Sequence, residues 1–393
     1  MNKSLADLIK ISNVTGKDTT LVQGGGGNTS VKTEDGKYMY IKASGTALKD
    51  MSKTRGWRRM RLEPVLSIIG DKSLAKLEPS KREPEVVDRL LLACDDKVKG
   101  GARPSVEAHL HAILDKYVIH LHPLVIAAYV NAKDGKAVIE RLFKKEKFTP
   151  LWVPYTDPGF MLAKKIASLV GNYQKQFGKK PAVMILGKHG LFVTAKTAEA
   201  ALRLVRKVIK LCSSKLKRLK TQDARRNIPA RSDINAAKSA IRKAVHVATG
   251  QKLTVNHFPN INSITAFMAR KDAAKLLATP ALNPDELVYA NGSAMWLQNC
   301  DVKTITRKLT SLLKKGQKPA SAFIVKGLGL FVAADKKTAP VIAEITAGSV
   351  LIRIYAQQFG GILALNKRQQ DFINNWEAEA FRKKLVSGKT GKK

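Results

Sequence analysis

The chain has 393 residues, of which 44% are hydrophobic, enough to bury one large domain or two ordinary ones. Its three cysteines, Cys94, Cys212 and Cys300, are too few and too scattered for a disulfide framework or a cysteine metal site. The 70 Lys and Arg residues against 31 Asp and Glu residues give a net charge of +39, a field that concentrates anionic ligands.

The glycine run from Gly24 to Gly27, followed by Asn28, is the first informative segment along the chain. Glycines let a backbone present its N–H groups to an anion without side chains in the way. The alternative is a flexible loop or a hairpin. A strand is predicted next, over Tyr38 to Lys42, and a Ser-Gly-Thr turn follows at Ser44.

Two histidines, His120 and His122, lie in the apolar, β-branched run Tyr117 to His122. Side chains two apart on a strand project from the same face, so both imidazoles can share one metal ion. A third, His189, follows the predicted strand Val183 to Leu186. Three histidines and one open position suit a catalytic Zn²⁺, whereas the alternative is packed core histidines.

Glu107, upstream in Pro104-Ser105-Val106-Glu107, is a candidate general acid or base. Its alternative role is at the start of a helix. The apolar neighbours Val106 and Leu110 would raise the pKa of its carboxyl group towards neutrality.

The second half of the chain contains a partial repeat of the first. Residues 182–193 align with residues 321–332, so that Leu328 stands opposite His189, and the second copy contains no His-x-His. Helices are predicted over Ala198 to Leu219 and over Asp233 to Thr249, with a linker between them. We therefore expect a domain with the metal site over residues 1–222, a second lobe without metal ligands over 223–385, and a basic tail over 386–393.

The motifs together resemble the class II aldolase/adducin family, which includes zinc-dependent fuculose- and rhamnulose-phosphate aldolases and ribulose-phosphate 4-epimerase. Four blocks carry the resemblance, in the family's order: Gln23–Ser30, Tyr40–Thr46, Pro104–Glu107 with His120–Pro123, and Lys188–Val193. Asn283–Leu287 and Lys326–Phe331 resemble the aldolase part of bacterial proteins that fuse such an aldolase to a short-chain dehydrogenase. These 393 residues contain no strand, G-x-G-x-x-G and helix unit, so oxidoreductase activity is not implied.

The resemblance implies a three-layer α/β fold with a central, mainly antiparallel sheet, followed by a degenerate aldolase-like lobe. It implies one Zn²⁺ per chain, held by His120, His122 and His189, with Glu107 as the general acid/base. Tyr155 is the candidate that protonates the leaving aldehyde, although a core or turn tyrosine is the alternative. In the family this tyrosine often comes from a neighbouring subunit.

The substrate phosphate would be held by backbone and hydroxyl groups at Gly27, Asn28, Ser44, Gly45 and Ser105. The family often has a second serine directly before the glutamate, where this chain has Val106. That change removes one hydroxyl donor and weakens the case for phosphate.

We expect a zinc-dependent aldolase that reversibly cleaves a ketose 1-phosphate into dihydroxyacetone phosphate and an aldehyde. The alternatives are a sugar-phosphate epimerase or a sugar-acid phosphate decarboxylase with the same metal chemistry, and a non-catalytic module that resembles adducin or binds polyanions. The family also implies a homo-oligomer, for which a tetramer is one option.

The N-terminal 16 residues lack the apolar centre of a signal peptide, and no apolar run approaches membrane-spanning length. We therefore expect a cytoplasmic protein with no membrane partner. Nucleic acid is not expected as a partner despite the charge, because the basic residues are dispersed and no nucleic-acid-binding module is present.

Overall fold

The computed structural model describes residues 2–96, 102–217, 219 and 229–376. Contacts divide these residues into two compact units. Unit 1 contains residues 2–130, 134–215 and 371–376, and unit 2 contains 131–133, 216, 217, 219 and 229–370. The domain boundary expected between residues 222 and 223 and the basic tail 386–393 lie outside the described residues.

Unit 1 is built on a central sheet. Its strands, in chain order, are β1 (Asn28–Lys32), β2 (Tyr38–Lys42), β3 (Trp57–Arg61), β4 (Tyr117–Leu121), β5 (Leu151–Val153), β6 (Val183–Leu186) and β7 (Gly190–Ala195). In the described part of unit 1 they form a seven-stranded sheet in the order β3-β2-β1-β4-β7-β6-β5. Each pairing is antiparallel except that of β5 with β6, which is parallel. The expected central, mainly antiparallel sheet is confirmed.

The helices of unit 1 cover both faces of this sheet. They are α1 (Lys3–Gly16), α2 (Leu62–Gly70), α3 (Lys72–Lys76), α4 (Pro79–Leu92), α5 (Ala108–Ala112), α6 (Leu124–Val130), α7 (Gly135–Phe143), α8 (Phe160–Phe177) and α9 (Ala198–Ser213). Helices α1, α6 and α9 pack on one face, and α2, α5 and α8 on the other, which gives three layers. Helix α9 ends at Ser213 rather than at the predicted Leu219. The N–H of Ser214 is shared between Lys210 O and Leu211 O, as is common in the last turn of a helix.

Strand alternation decides which side chains meet in unit 1. Val118 of β4, Met184 of β6 and Phe192 of β7 project towards α5 and α8 and pack into one apolar cluster with them. His120 lies two residues after Val118 and therefore shares this side of the sheet. The ring of Phe192 stacks on the ring of His120, with centroids 4.0 Å apart, and fixes that imidazole in the core.

Unit 2 contains a smaller sheet with its own helices. Its elements are α10 (Arg231–Thr249), β8 (Val255–Phe258), α11 (Asn262–Met268), α12 (Ala273–Leu277), α13 (Pro284–Ala290), β9 (Met295–Leu297), α14 (Val302–Lys314), β10 (Ala322–Val325), β11 (Gly329–Ala333) and α15 (Ala339–Ala356), and α16 (Lys367–Asn375) continues into unit 1. Gly250, with a φ of +71°, ends α10 where the sequence predicts.

The sheet of unit 2 repeats half of the sheet of unit 1. Among the described residues its strands lie in the order β8-β11-β10-β9, with two antiparallel pairings and then a parallel one, as in β4-β7-β6-β5. His257 of β8 faces Phe331 of β11 as His120 faces Phe192. One imidazole of the unit 1 site therefore has a topological equivalent in unit 2, which the sequence alignment did not reveal.

Helix α15 lies in the core of unit 2. Residues 339–359 are long and apolar enough to cross a membrane, contrary to the sequence expectation, but 67% of this apolar stretch is buried inside the structure. The stretch contains Arg353, which is fully buried and ion-paired with Glu286 of α13 at 2.9 Å. Such burial against α11, α13 and β11 is typical of the core helix of a folded domain.

Candidate metal centre

Three imidazoles converge in unit 1 because two strands and one turn meet there. His120 lies near the end of β4, His122 follows that strand, and His189 lies in the turn between β6 and β7. The antiparallel pairing of β4 with β7 places this turn beside the histidines of β4. The ring centroids lie 4.9 Å apart for His120 and His122, 4.9 Å for His120 and His189, and 5.1 Å for His122 and His189.

The turn depends on close backbone packing at Gly190. A Cβ atom at this position would lie 2.5 Å from Leu121 O, 2.9 Å from His122 Cδ2 and 3.3 Å from His120 Cε1. Glycine therefore lets β7 approach β4 closely enough for the imidazoles to meet. Lys188, in the same turn, has a φ of +54°, a conformation that non-glycine residues seldom adopt.

The imidazole nitrogens lie close enough to one another to share one metal ion. One ring nitrogen from each histidine lies within 4.8 Å of the other two. His120 Nε2 and His122 Nε2 are 3.1 Å apart. Tetrahedral zinc with Zn–N bonds of about 2.0–2.1 Å separates two ligand nitrogens by roughly 3.3 Å.

The protonation state of His120 also fits a ligand. Its Nδ1 lies 3.1 Å from Leu191 O, and a proton on Nδ1 donated to that carbonyl leaves the Nε2 lone pair facing the other two rings. Burial, together with His122 and His189, lowers the pKa of His120 well below its ordinary value, so the ring is neutral at neutral pH. The three residues can therefore hold a divalent metal ion.

Glu107 lies beside the three imidazoles. Its Oε2 is 3.6 Å from His120 Nε2, and its Oε1 is 3.9 Å from His189 Nε2. Asn28, the first residue of β1, donates from Nδ2 to Glu107 Oε2 at 2.6 Å. Asn28 Oδ1 is buried with no hydrogen-bond partner among the described residues, so it can accept a hydrogen bond from a hydroxyl group of a ligand.

The pKa of Glu107 shifts in the direction opposite to the one expected from the sequence. Burial is the largest single cause and raises this pKa. Electrostatic attraction to His189 in its protonated form, the hydrogen bond from Asn28 and weaker attraction to His111 and His122 together outweigh burial and lower the pKa. The apolar neighbours were recognised in the sequence, whereas the surrounding imidazoles were not included. At neutral pH the group is therefore a carboxylate, the form that accepts a proton.

The residues expected to hold phosphate lie on three neighbouring segments. Gly27 has a φ of +61°, and a Cβ there would lie 2.7 Å from His120 O. Ser44 donates from its backbone N–H to Arg103 O at 2.8 Å and from Oγ to Pro104 O at 3.0 Å, while Gly45 follows with a φ of +83°.

Ser105 belongs to the third of these segments. It is 6% exposed, and its Oγ accepts from Glu107 N–H at 3.3 Å. This contact links the segment with the phosphate candidates to the carboxylate. Asn28, another phosphate candidate, donates from its side-chain amide to Glu107 Oε2 and so also links the glycine loop to the carboxylate.

Tyr155 lies on the loop after β5. Its hydroxyl donates to Asp157 Oδ1 at 3.2 Å, and Lys188 Nζ lies 5.5 Å from the centre of its ring. Lys188 directly precedes His189 in the chain. The structure therefore places Tyr155 next to the turn that carries the third imidazole, and these contacts do not assign it a catalytic role.

Two residues near the site were missed in the sequence. Phe192 stacks on His120, and Lys42 is a buried lysine that bonds to the glycine loop. The signal for Phe192 was its position in the Gly-Leu-Phe sequence, which we used only to recognise the repeat and the family resemblance. Lys42 occupies the last position of an otherwise apolar and aromatic strand, which could have marked it.

Comparison with known proteins places the chain in a family. Residues 6–216 match the family described as "Class II Aldolase and Adducin N-terminal domain". The "Uncharacterized oxidoreductase YuxG" of Bacillus subtilis is 27% identical over 331 residues, which cover 80% of this chain and 45% of that protein. The chain thus spans about half the length of that curated relative, in agreement with the expected likeness to part of a longer fused protein.

Solved structures similar to this chain cover about half of it. The N-terminal class II aldolase domain of a conserved protein from Thermoplasma acidophilum is 26% identical, with a TM-score of 0.44, over 55% of this chain and 94% of its own. L-fuculose-1-phosphate aldolase from Thermus thermophilus is 16% identical, with a TM-score of 0.32, over 55% of this chain and 93% of its own. Because the family match extends over more than half of the residues, the chain belongs to the class II aldolase/adducin family.

Proposed function

We propose that this protein is a zinc-dependent aldolase that cleaves a ketose 1-phosphate into dihydroxyacetone phosphate and an aldehyde. The observation that supports this most is the convergence of His120, His122 and His189, with the Glu107 carboxylate 3.6 Å from His120 and 3.9 Å from His189. Such a site joins a metal-binding triad to a proton acceptor, and aldol cleavage needs both. The family also contains epimerases, decarboxylases and non-catalytic members, so the reaction itself is part of the proposal.

The metal, when bound, would supply Lewis-acid polarisation of the ketose carbonyl and of the adjacent hydroxyl. In the cleavage direction the C3–C4 bond breaks, and its electron pair moves into the C2–C3 enediolate. The C4 hydroxyl loses its proton as it becomes the aldehyde carbonyl. We assign its acceptance to Tyr155 of this or a neighbouring chain, which releases its own hydroxyl proton to water in the same step. Glu107, which is ionised at rest, takes up a proton from water and transfers it to C3, which completes dihydroxyacetone phosphate.

Glu107 is held for this proton transfer by its neighbours. The hydrogen bond from Asn28 fixes one carboxylate oxygen, and the lowered pKa keeps the group ionised, so it can remove the C3 proton in the direction of aldol addition. The phosphate would be held by groups at Gly27, Asn28 and Gly45 and by the hydroxyls of Ser44 and Ser105. The Ser44 hydroxyl would turn from Pro104 O to the phosphate when it binds. The positive net charge of the chain would attract such an anionic substrate.

The test is product analysis with zinc-loaded protein and a panel of ketose 1-phosphates, including rhamnulose and fuculose 1-phosphate. Dihydroxyacetone phosphate is measured by its reduction with NADH and glycerol-phosphate dehydrogenase. The Glu107→Gln variant keeps the three imidazoles and is expected to be slower by about 10²–10⁴-fold. Absence of dihydroxyacetone phosphate with every substrate contradicts the proposal, and an epimer or carbon dioxide instead would assign a different reaction to the same site.

We also propose a reducing, cytoplasmic location and a homo-oligomeric state for this enzyme. The cysteines Cys94, Cys212 and Cys300 are free thiols, which supports the first. The homo-oligomeric state is proposed from the family alone, and sedimentation of the purified protein tests it.

A further inference from the structure

An open cleft in unit 1 lies at the end of the sheet opposite to the metal centre. Its volume is about 890 Å³, within the range of small-molecule sites in proteins. At the cleft end, Tyr117 of β4 pairs with Ala195 of β7, whereas Leu121 and Leu191 pair at the end that carries the imidazoles. Gly190 and Ala195 are the two ends of β7, so a rise of about 3.4 Å per residue separates them by roughly 17 Å. No residue of the metal centre or of the proposed phosphate site lines this cleft.

Basic side chains are concentrated around the cleft. Lys and Arg make up five of its twelve lining residues, compared with 70 of the 393 residues in the whole chain. They come from the loop between α8 and β6, from the residue after β7 and from one face of α9, and they are Lys179, Lys180, Lys196, Arg203 and Lys207. Asp115 is the one acidic residue in this described lining. The high net charge of the chain alone therefore does not account for the cluster.

Most of these cations have no acidic partner within the protein. Lys207 is ion-paired with Glu146. In the part of the chain that the structure describes, Lys179, Lys196 and Arg203 form no ion pair, and all three are exposed at the cleft. Their charges are therefore available to an anionic ligand.

The electrostatic field beside the cleft is positive in spite of Asp115. Lys180 Nζ donates to Ile113 O at 2.8 Å, which holds this ammonium group near the buried Lys32 of β1. Burial lowers the pKa of Lys32 to about 7, and repulsion by Lys180 adds to the shift more than attraction by Asp115 opposes it. An anion bound in the cleft would neutralise this excess of positive charge.

The rest of the cleft is largely apolar and includes one aromatic ring. Small and aliphatic residues of β7, of α9 and of the segment before β6 line it, namely Ala182, Ala195, Ala200 and Leu204. Phe148, in the loop before β5, is half-buried and makes an edge contact with Phe143, with ring centroids 5.7 Å apart. Lys207 Nζ lies 5.5 Å from the centre of the Phe148 ring. The ligand that fits this lining combines a planar, partly apolar group with several negative charges.

Such a combination is found in a nucleotide. Proteins that bind single-stranded nucleic acid stack successive bases on several aromatic side chains along a basic groove. This cleft offers one ring and a bounded volume, which suit one base with a short chain of phosphates. We propose that the cleft binds a nucleoside polyphosphate, with the base on Phe148 and the phosphates among the five basic side chains. This inference does not depend on the proposed aldolase function.

The experiment measures binding of ATP, GTP, inorganic tripolyphosphate and an oligothymidylate by calorimetry, at fixed ionic strength and with magnesium in excess. The proteins are the parent chain, Arg203→Glu, Lys179→Glu, Phe148→Leu and the control Arg206→Glu. Arg206 is exposed on the same helix as Arg203 but does not line the cleft, so its reversal changes the net charge equally. Lys179→Glu provides a second charge reversal if Arg203→Glu does not fold.

We expect the parent to bind at least one of the two nucleotides about fivefold or more tighter than tripolyphosphate, because the base stacks on Phe148. Arg203→Glu and Lys179→Glu should weaken nucleotide binding by about tenfold or more, whereas Arg206→Glu should stay within about threefold of the parent. Phe148→Leu should lose the preference for the nucleotide over tripolyphosphate. The metal-site variant His189→Ala should bind the nucleotide as the parent does, which separates the cleft from the metal centre.

Three results would overturn the proposal. The first is a parent that binds neither nucleotide. The second is equal weakening by Arg203→Glu and Arg206→Glu, which would mean that the whole basic surface attracts anions without a defined site. The third is an oligothymidylate that binds more tightly than either nucleotide and depends on both arginines, which would assign a nucleic-acid strand to this surface instead.

Discussion

Replacement of Gly190 by alanine tests how tightly the metal centre depends on the packing of β7 against β4. Gly190 is the first residue of β7 and directly follows His189. An added Cβ would lie 2.5 Å from Leu121 O and 2.9 Å from His122 Cδ2. We expect this one methyl group to disturb metal binding more than it disturbs the fold.

The expected losses of stability and of metal affinity follow from these distances. Real Cβ atoms essentially never approach closer than 3.0 Å, so the backbone of β4 must yield by about 0.5 Å, and the His122 ring must move as well. Overpacking of this kind costs about 1–3 kcal/mol of the free energy of unfolding. Metal–ligand distances tolerate only about 0.2 Å, so we expect metal affinity to fall by at least about tenfold.

Gly171→Ala is the matched control. Gly171 lies inside α8, and an added Cβ there meets no atom within 4 Å. We expect that variant to keep the parental metal affinity and to gain roughly 0.5–1 kcal/mol of stability. Zinc affinity is measured by competition with a chromophoric chelator, and stability by chemical denaturation of the metal-free proteins. Parental zinc affinity in Gly190→Ala would refute this account of the turn.

Three further predictions concern metal and stability. His257→Ala should leave the zinc content measured by elemental analysis unchanged. Unit 2 has Leu328 at the position that His189 occupies in unit 1, and His257 Nε2 lies 2.9 Å from Leu328 O. A loss of metal in this variant would show that unit 2 also binds metal. At a free zinc concentration 1,000 times its Kd, zinc binding contributes about 4 kcal/mol to the stability of the folded protein. Removal of this zinc by a chelator should therefore lower Tm by roughly 10 °C. An unchanged Tm in calorimetry would contradict metal binding to the folded state. Arg353→Met should lower the free energy of unfolding by about 3–5 kcal/mol, because Glu286 would lose its ion-pair partner, 2.9 Å away in the core. Denaturant unfolding measures this loss, and a loss below about 1 kcal/mol would mean that the pair contributes little.

The local structure around the site was largely predictable from the sequence. Strands over Tyr38–Lys42 and Val183–Leu186 are confirmed, and the alternation of a strand predicted that His120 and His122 share a face. Both features depend on neighbouring residues only. The proximity of His189 depends instead on the pairing of β4 with β7, which local periodicity does not report, so it was expected from the family resemblance rather than from spacing.

Features that depend on tertiary contacts were missed or wrong. The pKa of Glu107 was expected to rise, but it is lowered mainly by His189 and Asn28, which come from distant parts of the chain. The contacts of Lys42 depend on how the glycine loop folds back onto β2. The likeness of His257 to His120 was hidden because the repeat was aligned only over residues 182–193 and 321–332, and these ranges include neither β4 nor β8.

The metal content of the purified protein, compared with that of the His189→Ala variant, tests the central claim most directly. We predict close to one divalent ion per parent chain and little or none in the variant, with both proteins folded by circular dichroism. His189 is the informative ligand, because it comes from a different strand pair than His120 and His122. A parent that binds no divalent ion under zinc-replete conditions, or a variant that retains the full amount, would contradict the account.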